Sequence, residues 1–202
     1  MERSELKHFS MIRSFHLADL LTLGNGCCGI AAVFHAMRFV ASQERWQLYV
    51  AATLVPLAIV FDVLDGRVAR WRHKASALGR EMDSLADVIS FGVAPAAVAF
   101  AIGLNTALDQ AMLIYFAVCG LSRLARYNIT AEELAGGADA VAYFEGTPIP
   151  TSIVPLGLVL LAYRAEWLFP VEPFGARLHL ASLLFVLSGS LMISKTLHVP
   201  KP

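Results

Sequence analysis

The sequence predicts an all-α integral membrane protein of six transmembrane helices, and three observations lead there. The 202-residue chain is 57% hydrophobic and only 16% charged, with a mean hydropathy of +0.61, against a charged fraction of roughly 25% in soluble domains. Six apolar runs approach the roughly 20 residues that a bilayer core requires, near 17–37, 47–65, 84–103, 108–127, 147–165 and 178–198. Together they fill most of the chain, so 1–202 reads as a single membrane domain, a polar N-terminal segment at 1–16 followed by a six-helix unit over 17–198.

The first run follows MERSELKHFSMIRSFH, is too long for a signal-peptide core and lacks a small-residue cleavage site, so it is expected to stay. Within it Gly24-Asn25-Gly26-Cys27-Cys28-Gly29 spells GxGxxG, but without a preceding strand this reads as close helix packing. The second run contains Pro56, a kink signal, and ends in Asp62 and Asp65. The third opens with Asp83 and Asp87, and the fourth ends in Arg123, Arg126 and Asn128. Pro148, Pro150 and Pro155 bend or start the fifth run, while Trp46 and Trp167 flank spans as interface anchors. Cys27, Cys28 and Cys119 form no CxxC pair and read as buried thiols.

Six spans put both termini on one side. That side, with the 66–80 and 123–146 loops, carries twelve of the 16 Lys and Arg residues. The opposite side has only Arg38, Arg45, Arg164 and Arg177, a bias that makes the termini and the larger loops cytoplasmic. Sixteen acidic residues balance the sixteen basic ones, so no net positive charge points to nucleic acid.

An unpaired carboxylate inside a span costs at least a few kcal/mol, about 2.5 or more on insertion scales, and usually marks a function. Asp62 and Asp65 are three apart; Gly79, Asp83 and Asp87 follow at intervals of four, so each set shares a helix face. Four carboxylates converging at a membrane surface would repel one another unless divalent cations lay between them, and oxygen-only ligands favour Mg²⁺ or Mn²⁺. Two such ions are the arrangement that clamps the attacking and leaving oxygens of phosphoryl transfer. Gly66, Ala69 and Gly79 would let a pyrophosphate approach the backbone, and Arg70 offers a planar bidentate donor to it.

Asp62-x2-Asp65-Gly66-x2-Ala69-Arg70-x8-Gly79-x3-Asp83-x3-Asp87 resembles, at all eight fixed positions, the signature of the CDP-alcohol phosphatidyltransferase family. The resemblance implies a six-helix membrane enzyme, commonly a homodimer, that transfers a phosphatidyl group from a CDP-linked lipid to an alcohol and releases CMP. It implies that Asp62, Asp65 and Asp83 ligate two divalent ions, with Asp87 near the second ion and serving as the base. It further places Gly66, Ala69, Arg70 and Gly79 at the CDP and its phosphates, with Thr22 and Asn25 near the nucleotide.

The segments DGRVAR, DSLADVISFGVAPA, SRLARYN and FEGTPIP resemble the branch that uses L-serine with CDP-diacylglycerol, and Ser84 stands where the glycerol-phosphate branch typically has Pro. A serine zwitterion needs a cationic partner for its carboxylate and polar groups for its ammonium, a task that suits Arg123, Arg126 and Asn128. Glycerol 3-phosphate or an inositol phosphate are the rival acceptors. A divalent-cation transporter would need acids continuing to the other side, and there only Glu44, Asp109, Glu166 and Glu172 occur, all in loops.

Overall fold

The computed structural model describes residues 17–72, 77–135, 143–172, 175, 177–194 and 198–200. Helices α1 (Leu17–Ser42) and α2 (Arg45–Arg72) form an antiparallel hairpin. Its turn is closed by Gln43, which takes a left-handed φ of 58° and donates its N–H to the Phe39 carbonyl at 2.8 Å. Asp19, Thr22, Asn25, Gly26, Gly29, Ala32 and Ala36 make one buried stripe along α1 at intervals of three and four. The stripe's mostly small side chains let its neighbours come close. A Cβ on Gly29 would collide with Ser90, including its Cα and backbone nitrogen, and one on Gly26 would touch Ala86 at 3.6 Å.

Helix α3 (Ala77–Asp87) runs through a π-helical segment, Val88–Val93, into α4 (Ala94–Ala101). The wide turns come just before Pro95, whose ring would meet the carbonyl four residues back in a regular helix. Helix α5 (Ala107–Ala135) starts with a capping box: Thr106 Oγ1 accepts the Asp109 N–H at 3.2 Å, and Asp109 Oδ2 accepts the Thr106 N–H at 3.2 Å. Asp109 also accepts the His179 backbone N–H at 3.0 Å and lies 2.7 Å from His179 Nδ1, tying the start of α5 to the approach to the last helix.

Two shorter helices complete the bundle. A 3-10 turn, Ile149–Ser152, leads into α6 (Ile153–Arg164), and another, Leu180–Ser182, leads into α7 (Leu183–Ile193). Gly189 brings α7 against the Phe116 backbone of α5, where the Phe116 and Phe185 rings meet edge-on at 5.1 Å. The core runs along these contacts through Val55, Phe91, Phe116, Leu156, Phe185 and Met192.

The expectation of six spans is met at a coarser level. Four helices are long and apolar enough to cross a membrane, Leu17–Ser42, Arg45–Trp71, Leu78–Ala101 and Ala107–Thr130, whereas Ile149–Arg164 and Leu180–Ile193 are shorter. Nor is the chain purely helical. β1 (Tyr143–Glu145) pairs antiparallel with β4 (His198–Pro200), and β2 (Pro170–Val171) with β3 (Leu178–His179). In the sixth run β3 and the start of β4 take residues from the helix, and in the fifth the 3-10 turn Ile149–Ser152 does so. The third helix starts at Ala77 rather than near 84, and the fourth continues to Ala135, into the stretch expected to be a connector. The N-terminal segment 1–16, His73 and Lys74 lie outside the described residues.

Candidate active site

The site forms where the end of α2 meets α3, with α1 packed across both. Asp62 and Asp65 lie near the end of α2, and Asp83 and Asp87 one turn apart on α3. Carboxylate oxygens of Asp62, Asp83 and Asp87 all lie within 4.8 Å of one another. At such separations two ionised carboxylates repel by about 3 to 4 kcal/mol per pair at an effective dielectric near 20. No ion pair between described residues neutralises the three. Asp83 Oδ1 is buried without a hydrogen-bond partner, an acceptor left for a ligand. Three hard oxygen donors from two rigid helices suit a divalent cation of the Mg²⁺ or Mn²⁺ class.

The fourth carboxylate is held differently. Asp65 is buried beside the cluster, and its Oδ2 accepts a 2.7 Å hydrogen bond from Thr22 of α1. It remains within electrostatic reach of Asp83 and Asp87 without belonging to the tight group of three. Asn25, fully buried one turn after Thr22, donates its amide to Asp87 Oδ1 at 3.0 Å, while its backbone carbonyl accepts from Ser90 Oγ at 2.9 Å. Thr22 and Asn25 thus grip carboxylates from behind, a stronger engagement than the nearness to nucleotide that the sequence suggested.

The small residues keep the approach open. A Cβ on Gly66 would meet only Arg70 Nη1, at 3.7 Å, so the exposed guanidinium of Arg70 arches over that glycine. Ala69 and Gly79 are half-buried on the same two helices. On α5, Arg123 is half-buried in electrostatic reach of Asp87, and its Nε is buried without a hydrogen-bond partner. Arg126 is half-buried one turn on. Asn128 is already engaged, donating to Ser84 Oγ at 3.0 Å and to the Glu81 carboxylate at 3.4 Å, which fastens α5 to α3.

Three residues escaped the sequence reading. Asp19 is buried one turn before Thr22, in electrostatic reach of Asp65, and its place on the stripe of Thr22, Asn25 and Gly29 was the signal that could have found it. Ser90 fixes the Asn25 backbone from within the π-helical segment. Glu81 holds the Asn128 amide from a helix that the sequence started too late to include it.

Comparison with known proteins agrees with this geometry. The family model described as CDP-alcohol phosphatidyltransferase matches residues 15–192. The chain is 44% identical to a CDP-diacylglycerol–serine O-phosphatidyltransferase of Saccharomyces cerevisiae, an alignment covering 98% of this chain and 75% of the yeast protein. A Helicobacter pylori protein of the same name is 37% identical over 87% of this chain and 68% of its own. One from Mycobacterium leprae is 34% identical over 75% of this chain, which there spans about half of the relative's length (49%). With the carboxylates of two helices brought together as the motif requires and the family model matching nearly the whole chain, this protein belongs to the CDP-alcohol phosphatidyltransferase family.

Proposed function

We infer that this chain transfers the phosphatidyl group of CDP-diacylglycerol to the hydroxyl of L-serine, giving phosphatidylserine and CMP. The observation that carries the reading is the meeting of Asp62, Asp83 and Asp87 within 4.8 Å in a chain 44% identical to an enzyme named for that reaction.

Asp62, Asp65, Asp83 and Asp87 would hold two divalent ions, Mg²⁺ or Mn²⁺, which when bound offset the charge of the pyrophosphate and of the departing CMP. Thr22 fixes the rotamer of Asp65, and Asn25 that of Asp87, so the donors are positioned before substrate arrives. Gly66, Ala69 and Gly79 leave backbone surface for the cytidine diphosphate, and Arg70 directs its fork at the phosphate oxygens. Arg123, whose Nε lacks a partner, receives the serine carboxylate, with Arg126 beside it. Asp87 accepts the proton of the serine hydroxyl as the oxygen forms its bond to the lipid-side phosphorus and the bond from that phosphorus to the CMP oxygen breaks.

The two shorter apolar helices complete six passes in this reading, which returns the chain to the side on which it began. The Lys and Arg excess then makes the aspartate end cytoplasmic. A homodimer is the assembly that the family resemblance implies.

The test is CMP release by the purified protein with CDP-diacylglycerol and Mg²⁺ or Mn²⁺, comparing L-serine, glycerol 3-phosphate and inositol phosphate. Release with serine alone supports the reading. Release with another acceptor keeps the site and overturns the choice of alcohol.

A further inference from the structure

A cavity lies at the other end of the bundle from the aspartates. From Asp62 back to Arg45 is seventeen residues of α2, about 25 Å of helix axis. At that end a cavity of about 580 Å³ opens between α2 and α6. Its α2 wall is Arg45, Leu48, Tyr49 and Ala52, spaced three, four and seven residues from the first, so they share one face. Its α6 wall is Gly157, Leu160, Leu161 and Arg164, the same spacing read in the opposite direction, with Tyr163 beside them. Both stripes therefore place an arginine at the mouth and a small residue at the floor, about 10 Å deeper. A Cβ on Gly157 would meet nothing within 4 Å, so the floor is open space.

We propose that this groove is a binding site for an anionic phospholipid, its phosphodiester held between Arg45 and Arg164 and an acyl chain lying in the apolar slot below. Charge fits that occupant. Two arginines and Glu166 border the groove, a net charge of +1 that complements a headgroup of −1. Neither arginine makes an ion pair with a described residue. Depth fits as well. Trp46 and Trp167, each adjacent or close in sequence to the mouth, are 51% and 74% exposed, as tryptophans at a headgroup boundary are. The helical stretch Ile149–Arg164 is 16 residues, about 24 Å if wholly α-helical and short of a core of about 30 Å. Arg164 therefore ends near hydrocarbon depth, where a guanidinium needs a phosphate drawn to it.

The proposal concerns a surface remote from the aspartates and stands apart from the choice of acceptor. Its test uses the full chain in mixed micelles, with phosphatidylglycerol and phosphatidylcholine as probes and binding read by native mass spectrometry. Phosphatidylglycerol should bind at least tenfold tighter than phosphatidylcholine. Arg45→Ala/Arg164→Ala should erase that preference, and Gly157→Leu, which fills the floor, should weaken both lipids. CMP release by these variants should stay within twofold of the parent, which shows that they fold. Equal affinity of the parent for both lipids, or an unchanged preference in the double variant, overturns the proposal. A change from dimer to monomer on Gly157→Leu without loss of lipid would instead assign the face to a second copy, and would equally overturn it.

Discussion

Asp87 and Asn25 carry the sharpest consequence at the scale of single residues. If Asp87 takes the proton of the acceptor, Asp87→Asn removes turnover while CDP-diacylglycerol binding falls by less than about threefold. Binding that collapses together with turnover would make Asp87 a metal ligand first. Asn25 touches no reacting atom in this account but aims Asp87, so Asn25→Ala should lower kcat about 10- to 100-fold with little change in KM for the lipid. A purely structural asparagine would instead lower the melting temperature and leave kcat of the folded fraction intact. The convergence of Asp62, Asp83 and Asp87 was legible in sequence because their spacing sets them on helix faces that can meet. The roles of Thr22 and Asn25 as carboxylate holders were not, since the partners are 43 and 62 residues away and only the crossing of α1 over α2 and α3 joins them.

Helix packing decides whether the site assembles. Gly29 lets α1 close on the π-helical segment, and Ser90, whose backbone lies against it, also fastens Asn25. Gly29→Ala should therefore cost about 1 to 3 kcal/mol and lower the melting temperature in detergent. Ser90→Ala should not rescue it, because a new Cβ would meet Ser90 backbone as well as its hydroxyl. Rescue by Ser90→Ala would show that the side chain alone sets the crossing. At the opposite end, Asp109 caps α5 and accepts from His179, so Asp109→Ala should cost about 3 kcal/mol, read in the same thermal assay. Sequence placed Asp109 in a loop with no task. Its capping box, Thr106-x-x-Asp109, was nonetheless written there and marks the start of the helix. The π-helical segment left a weaker signal: Val88–Val93 itself reads as ordinary apolar helix, and only Pro95 beyond it marks the place.

At the scale of the whole molecule, hydropathy revealed a membrane protein but not the lengths of its last two helices. A 3-10 turn takes residues from the fifth run, and a ribbon strand and a second 3-10 turn from the sixth, and such local hydrogen bonding leaves no trace in an average over 20 residues. Positive charge is concentrated beside the aspartates, with Arg67, Arg70 and Arg80 on the same two helices. A divalent ion held by Asp62, Asp83 and Asp87 would offset repulsion among ionised carboxylates and should raise the melting temperature. At an ion concentration 100 times the dissociation constant the gain is about 2.7 kcal/mol. Asp83→Asn should abolish that gain, whereas an equal rise in the variant would place the ion elsewhere.

These carboxylates and a divalent ion together drive serine-dependent CMP release. The decisive experiment measures that release for the parent and for Asp83→Asn, first in excess EDTA and then with Mn²⁺ or Mg²⁺ restored. Release should be absent in EDTA and recover in the parent on adding the ion, while the variant should run about a thousandfold slower, equivalent to the several kcal/mol that a bound metal supplies. Serine-dependent release that persists in EDTA, or that is undiminished in Asp83→Asn, would show that the reaction needs neither the ion nor this carboxylate.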